Sequence, residues 1–353
     1  MLQPDPDFYS LYHPLTITRI REEIPGFKTL FLEEANGEKI KYQAGQYLTL
    51  VTQEHNTEFR RSYSLISSPV LNEPLGIGVK RIPNGLFSRK LTDDAQVGDT
   101  LWTTGAGGFF TLPENLADYG QLFFLAAGSG ITPVLSLIKT ALFAFPDIPV
   151  VLIYSNSSHD RAAYRQEFME LEDRYPSRFK TEFLYSDAAD LSRARLYKDL
   201  LQLFVKYHAL TTPDKMLCYV CGPQNYMRMC TYGLNLAGIP LENIRKETFS
   251  TDKVLAKVQP PDTEEHTVSI FFNGQQHIIP AQYPATILQA AKKAGINLPY
   301  SCEAGKCGNC VARCKKGRVW MSYNEVLTEK EISKGLVLTC VGYPIGGDVV
   351  LEI

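Results

Sequence analysis

The chain has 353 residues, 44% hydrophobic and 21% charged, with a formal net charge of −2. That length holds two or three domains with their own cores, and a charge so near neutrality argues against a nucleic-acid or anionic-membrane partner. No apolar run approaches a membrane span, the opening Met1-Leu-Gln-Pro-Asp-Pro-Asp lacks the regions of a secretory signal, and eight cysteines do not make a secreted disulfide scaffold, so a reducing cytoplasm is the expected setting.

From about residue 14 to 110 the pattern is short strands. Residues 15–20, 29–32, 47–51 and 75–79 alternate or run apolar between the turn signals Pro25-Gly26, Asn36-Gly37 and Gly98-Asp99. Such spacing predicts an antiparallel β-barrel over 1–115. In Arg60-Arg61-Ser62-Tyr63-Ser64, alternate strand residues share a face, so Arg61 and Tyr63 point the same way. A guanidinium can clamp a pyrophosphate while a neighbouring ring stacks on a flat cofactor. Asn84-Gly85-Leu-Phe-Ser88 opens a short helix with free N–H groups. A surface ion-pair strand followed by a turn accounts for the same residues.

From 116 to 250 strands alternate with helices. Strands are expected at 122–126, 150–154, 179–185 and 216–221, and helices at 133–145, 161–174, 197–208 and 225–237. This predicts a doubly wound α/β parallel sheet. Gly128-Ser-Gly130-Ile-Thr132-Pro133 follows the first strand directly. Gly128 and Gly130 permit a tight turn and a close-lying ligand, Thr132 suits an N-cap and Pro133 an N1 position. The helix start would then face a pyrophosphate; a plain strand-to-helix turn is the alternative. Cys221-Gly-Pro223 ends the fourth strand, where open sheets bind ligands. Cys218 lies three residues earlier, on the opposite face, which argues against a redox dithiol or metal pair. Cys218, Cys230 and Cys314 read as packing residues.

Residues 251–263 show no period and carry a Pro pair, as a linker would. A flexible coil of that length spans roughly 20 Å. The last domain, 264–353, starts with a hairpin around Asn273-Gly274 and a helix over 286–294 that stops at Gly295. Then comes Cys302-Glu-Ala-Gly-Lys-Cys307-Gly-Asn-Cys310, with Cys340 thirty residues on. The spacing C-x4-C-x2-C…C is that of a plant-type [2Fe–2S] cluster. Zinc is the rival, but structural zinc sites space their cysteine pairs alike, and a second pair is missing here. Glu303 and Lys306 put charge on this loop, where it is either solvated or meets a docking partner.

Arg61-x-Tyr63-Ser64, Gly85-x-x-Ser88, Gly128-x-Gly130-Ile-Thr-Pro133, Cys221-Gly-Pro223 and Glu247-Thr-Phe249 together resemble a ferredoxin–NADP reductase module. With the cysteine loop the resemblance covers nearly the whole chain. The order flavin barrel, nucleotide domain, ferredoxin is similar to the reductase components of phenylacetyl-CoA epoxidase (ring 1,2-oxygenase) complexes. Leu298-Pro-Tyr-Ser-Cys302 and Gly317-x-Val319-x-Met321-x-x-Asn324-x-x-Leu327 add to that likeness. The resemblance implies a β-grasp ferredoxin domain of α+β type. It implies that Arg61, Gly85 and Ser88 hold the FAD pyrophosphate, that Tyr63 stacks on the isoalloxazine, and that Ser64 lies near its N5. It implies that Gly128, Gly130 and Thr132 hold the dinucleotide, that Cys221 borders the nicotinamide, and that Glu247 and Phe249 close the flavin site. Ser64, Cys221 and Glu247 are thus the catalytic candidates, and Cys302, Cys307, Cys310 and Cys340 the iron ligands.

After the second sheet strand, no acidic residue follows directly to grip a ribose 2′-OH. Ser155, Ser157, Arg161 or Arg165 could receive a 2′-phosphate, so the expected donor is NADPH rather than NADH; helix capping in solvent is the alternative use of these residues. The resulting expectation is a reductase passing electrons from NADPH through FAD and [2Fe–2S] to an acceptor protein. The favoured acceptor is an oxygenase of the phenylacetyl-CoA type; a hybrid-cluster protein, desaturase or other hydroxylase is the alternative. A non-catalytic redox sensor or adaptor is a reading of another class.

Overall fold

The computed structural model describes residues 12–35, 37, 39–54, 57–250 and 259–353. Residues 251–258 of the expected linker and Asn36 of one expected turn lie outside them. The chain divides into two compact units, Met1–Lys246 and Glu247–Ile353.

The first unit begins with β1 (His13–Ile24), β2 (Phe27–Glu34), β3 (Tyr47–Glu54), β4 (Thr57–Ser64), β5 (Leu75–Lys80), the single-turn helix α1 (Leu86–Arg89) and β6 (Thr100–Gly107). The strands form one antiparallel sheet in the order β4-β3-β6-β1-β2-β5. Leu65, just past β4, bridges Ile77 of β5, and Ile66 N donates to Gly76 O at 2.9 Å. These contacts join the two edge strands and close the sheet into a barrel, which removes exposed strand edges. Leu15, Ile17, Leu30, Leu48, Leu50 and Ile77 fill its interior.

There follow β7 (Gln121–Ala127), α2 (Ile131–Ala144), β8 (Val150–Asn156), α3 (Arg165–Arg174), β9 (Phe179–Tyr185), α4 (Lys198–His208), β10 (Met216–Cys221), α5 (Gln224–Leu236) and β11 (Ile244–Glu247). The sheet order is β11-β10-β7-β8-β9, with parallel pairing of β10 to β7, β7 to β8 and β8 to β9. Its central strands are apolar along most of their length because both faces are covered, with Gln121, Ser155 and Asn156 at strand ends. Phe124, Tyr154 and Tyr219 face one core with α2, and Phe123, Val151 and Val220 face the other with α4 and α5. Cys221 belongs to the first core and Cys218, with Cys230, to the second, so the two cysteines of C-x-x-C do point to opposite faces.

Barrel and sheet share a core: Phe27, Ala44, Ile66 and Phe110 pack with Leu135 and Ile138 of α2. Polar bonds cross the same seam. Ser136 Oγ donates to Ser67 O at 2.6 Å, Ser68 and Thr140 hydroxyls meet at 2.6 Å, and Thr29 and Tyr164 hydroxyls meet at 2.9 Å. Lys139, 6% exposed, bonds Glu73 at 2.8 Å and Glu167 at 3.3 Å.

Two helix starts differ from expectation. The helix expected from Arg161 begins at Arg165, because His159–Arg161 form a separate 3₁₀ turn and Tyr164 is left-handed at φ 58°. The helix expected to be capped by Thr132 begins at Ile131, after a 3₁₀ turn over Gly128–Gly130.

The second unit contains β12 (His266–Phe272), β13 (Gln275–Ala281), α6 (Ile287–Lys293), β14 (Val311–Lys316), β15 (Val319–Met321), α7 (Glu329–Ser333), β16 (Leu336–Leu338), β17 (Gly342–Pro344) and β18 (Val349–Glu352). Five strands form a mixed sheet, β13-β12-β18-β14-β16, in which β12 and β18 run parallel. Asn273 and Gly274, at φ 51° and 74°, make the hairpin turn their residue types predict. A reciprocal Thr286–Gln289 box starts α6, and Gly295 at φ 75° follows its end. This is a β-grasp arrangement, one helix on a mixed sheet, with the cysteine loop between α6 and β14.

Candidate electron-transfer sites

The cysteine loop is built by backbone conformation. Glu303, Gly305 and Gly308 take φ of 52°, 69° and 75°, and the loop curls at each. Glycine is required at 305, where a Cβ would lie 2.9 Å from Tyr323 O. Ala304 N donates to Cys302 Sγ at 3.4 Å. Cys340 is brought to the loop by its neighbour: Thr339 donates to Cys310 O from its N–H at 3.1 Å and its hydroxyl at 3.2 Å.

The four thiols fall into two pairs. Cys302 is held down to about 6, first by its bond with Cys307 and then by N–H groups of Lys306, Ala304 and Cys307. The bond between Cys310 and Cys340 pulls Cys310 below the ordinary thiol range and pushes Cys340 above it. A structural zinc needs four ligands around one centre, whereas a two-iron cluster needs two thiolates for each iron. The pairs Cys302/Cys307 and Cys310/Cys340 fit the second. Cys310 and Cys340 are buried, while Cys302 and Cys307 are half-buried.

Neither charged residue of the loop is simply solvated. Glu303 pairs with Lys292 at 3.0 Å, and Lys306 is only 6% exposed, its ammonium 6.0 Å from the centre of the Tyr323 ring.

In the nucleotide sheet, Gly128 is left-handed at φ 55°, and a Cβ there would meet nothing within 4 Å. The loop is therefore open above Gly128. Gly130 serves packing instead: its Cβ would lie 2.3 Å from Cys221 O. The two sequence motifs at the ends of β7 and β10 are thus in direct contact. Thr132 does not cap. Its hydroxyl donates to Ser129 O at 3.0 Å, and its methyl fills the place of a missing side chain at Gly78 of β5, where a Cβ would approach it to 2.3 Å. Gly222 and Tyr226 also belong to this contact, beyond the motif residues Gly128, Gly130 and Cys221. A Cβ on Gly222 would lie 3.0 Å from that of Ala127, and Tyr226 donates to Ala126 O at 3.2 Å. The Cys-Gly-Pro sequence was their only local signal.

At the end of β8, Ser155 Oγ is buried beside the Tyr226 hydroxyl. Arg161 is exposed, and its Nη1 donates to Pro25 O at 3.3 Å. Arg165 is turned inward, donating to the Tyr185 hydroxyl at 3.1 Å with its guanidinium 5.4 Å from the Phe183 ring centre.

On the barrel, Arg61 and Tyr63 pair with Leu50 and Leu48 of β3 and so share a face. Arg61 is exposed, with one bond to Arg60 O at 2.7 Å. Tyr63 lies against Phe87 with ring centres 6.2 Å apart, and burial pushes its hydroxyl up. Ser64 is 4% exposed. The Ser88 hydroxyl is committed to the turn, donating to Gly85 O at 3.2 Å and accepting from Ile82 N at 3.1 Å. Gly85 leaves room for it, since a Cβ there would lie 2.5 Å from Ser88 Oγ. Glu247, last in β11, is buried with Oε2 unpartnered, and burial pushes its carboxyl up to about 8. A buried carboxyl with a free acceptor is a common mark of a ligand or proton-handling site. Phe249 is exposed.

Three family models match in succession: an oxidoreductase FAD-binding domain over 22–112, an oxidoreductase NAD-binding domain over 124–231 and a 2Fe-2S iron-sulfur cluster binding domain over 270–344. A component of the 1,2-phenylacetyl-CoA epoxidase of Escherichia coli (strain K12) is 30% identical over 351 residues, 97% of each chain. The ferredoxin reductase component of 3-ketosteroid-9-alpha-monooxygenase from Rhodococcus rhodochrous is 29% identical, covering 96% of each. Among solved structures, phthalate dioxygenase reductase matches with a TM-score of 0.58 at 23% identity, over 97% of this chain and 98% of that one. The chain belongs to the family of ferredoxin–NADP reductase-like oxidoreductases that bind FAD, a pyridine nucleotide and a [2Fe–2S] cluster in a C-terminal ferredoxin domain.

Proposed function

We propose that this reductase draws electrons from NADPH and delivers them to an oxygenase component of the phenylacetyl-CoA epoxidase type, in phenylacetate degradation. The observation that carries the reading is the meeting of Gly130 with Cys221 on the same chain as two thiol pairs at 302/307 and 310/340. One motif set suits a nucleotide, the other a one-electron centre. When bound, flavin and cluster supply the conversion of a two-electron donor into single electrons. The chain's part is to hold and orient them. Arg61, Gly85 and Ser88 take the flavin pyrophosphate, Tyr63 stacks on the ring, and Ser64 sits beside it. Gly128 and Gly130, with Thr132 bracing the loop, take the dinucleotide. Cys221 borders the nicotinamide, Glu247 keeps a proton near neutral pH, and Phe249 covers the flavin. Ser155 and Arg161 receive the 2′-phosphate. Arg161 uses one donor on Pro25 O and has others available. The thiolate ligands and buried thiols fit a reducing cytoplasm; among the described residues no helix is long and apolar enough to cross a membrane.

The test has two arms. An absorbance spectrum with flavin and plant-type iron–sulfur bands, both bleached by NADPH, fits the reductase; a cluster without flavin would favour the redox sensor or adaptor instead. Reconstitution with phenylacetyl-CoA epoxidase oxygenase components should then give turnover. Failure there, with turnover on a hybrid-cluster protein, desaturase or hydroxylase, would reassign the acceptor; the near-equal identity to a 3-ketosteroid monooxygenase reductase makes that arm necessary. For the nucleotide, Arg161→Ala should raise KM for NADPH about tenfold and leave that for NADH within twofold, the loss of one charge-assisted phosphate bond. Equal effects on both would remove the 2′-phosphate role.

A further inference from the structure

Lys292 lies in the last turn of α6, where a cation also suits the helix dipole. Its ammonium stands 3.4 Å from the centre of the Tyr300 ring and 3.0 Å from Glu303 Oε1. Glu303 directly follows the first cluster cysteine, and it is the one non-glycine residue of the 302–310 loop in the left-handed region, at φ 52°. An L-residue held there costs free energy that its surroundings must offset. The left-handed turn has a purpose: beyond it the N–H groups of Ala304, Lys306 and Cys307 are all directed at the Cys302 sulfur. Successive amides gathered by such a turn form an anion-binding concavity.

We propose that Lys292 is a positioning residue for the iron–sulfur centre: stacked on Tyr300 and paired with Glu303, it latches the left-handed turn that aims three amides at Cys302. The proposal rests on reading the cysteine loop as the [2Fe–2S] site. An exposed ion pair alone would contribute little. Here both partners are half-buried, and the ring fixes the ammonium from the other side. Amides and a cation near sulfur favour the more negative, reduced cluster, so the latch raises its reduction potential.

The experiment uses the full-length protein with flavin and cluster bound. Lys292→Met keeps the stem and removes the charge. The cluster potential should fall while the flavin potential stays, and bleaching of the cluster band by a chelator should quicken about tenfold. Lys292→Arg should restore both. The diagnostic pair is at 303. Glu303→Ala keeps a Cβ in the left-handed turn without its latch and should lose cluster as quickly as Lys292→Met. Glu303→Gly adopts the turn freely and should retain wild-type cluster lifetime. Adding Lys292→Met to Glu303→Gly should not shorten it further. Wild-type potential and lifetime in Lys292→Met would overturn the proposal, as would equal lability of Glu303→Ala and Glu303→Gly. A wild-type protein whose spectrum lacks a [2Fe–2S] band would instead overturn the cluster reading itself.

Discussion

Gly130 is pressed against Cys221: a Cβ on the glycine would lie 2.3 Å from the cysteine carbonyl oxygen and 2.5 Å from its carbonyl carbon. Cys221 ends β10 and Gly130 closes the turn that follows its parallel neighbour β7, so their contact fuses the loop after β7 to the loop after β10. The obstructing atoms are backbone, so they cannot rotate away. Gly130→Ala should force the loops apart, cost roughly 2 kcal/mol of stability and raise KM for the pyridine nucleotide. Chemical denaturation and steady-state kinetics measure the two effects. Gly128→Ala meets no atoms and instead strains the backbone at φ 55°, so it should cost about 1 kcal/mol.

Glu247 sets a pH dependence. Burial raises its carboxyl from the ordinary 4.5 to about 8. The folded chain therefore keeps a proton that the unfolded chain releases above about pH 4.5. Stability from this group is complete below that value and is lost progressively as pH rises through about 8, by up to about 5 kcal/mol. Glu247→Gln removes the titration. Denaturant unfolding at pH 6 and pH 8 should show wild type weakening by more than the variant between the two.

Lys139 concentrates the charge of the seam between barrel and sheet. It is 6% exposed and bonded to both Glu73 and Glu167. Replacing it with Met leaves two carboxylates facing each other at a half-buried site. The expected loss is about 3 kcal/mol, at the low end for a buried pair because both glutamates retain some water. Burial also predicts that the loss changes little between low and high salt, which a salt series of melting temperatures would check.

In the proposed electron path, Cys307 lies between the flavin and the protein acceptor. Cys307→Ser removes one thiolate of the 302/307 pair. Pyridine-nucleotide-dependent reduction of ferricyanide, which accepts electrons from flavin, should persist within about twofold, while delivery to the protein acceptor should fall at least a hundredfold, the usual scale for losing a required group. Loss of both activities together would make the cluster structural for the flavin domain.

Much of this molecule is legible from local chemistry. Asn273-Gly274 and Gly295 adopt the positive φ that their residue types favour, and the apolar runs of β7, β8 and β10 become strands buried on both faces. The spacing of Cys302, Cys307 and Cys310 needs no tertiary information, since one loop carries all three. Other residues changed meaning once neighbours distant in sequence were in place. Thr132 has the composition of a cap, yet it packs on Gly78 of the barrel. Arg165, one of two arginines offered for a 2′-phosphate, is bonded through Nε to Tyr185. Lys306 reads as a surface charge and is buried. Periodicity and turn propensity act over a few residues, so the elements, their class and the cysteine set follow from the order of residues alone. Which side chains meet depends on strand order and loop closure across many tens of residues. It therefore takes the folded chain to bring Gly130 against Cys221, to sort the thiols into two pairs, and to set Lys292 on Glu303.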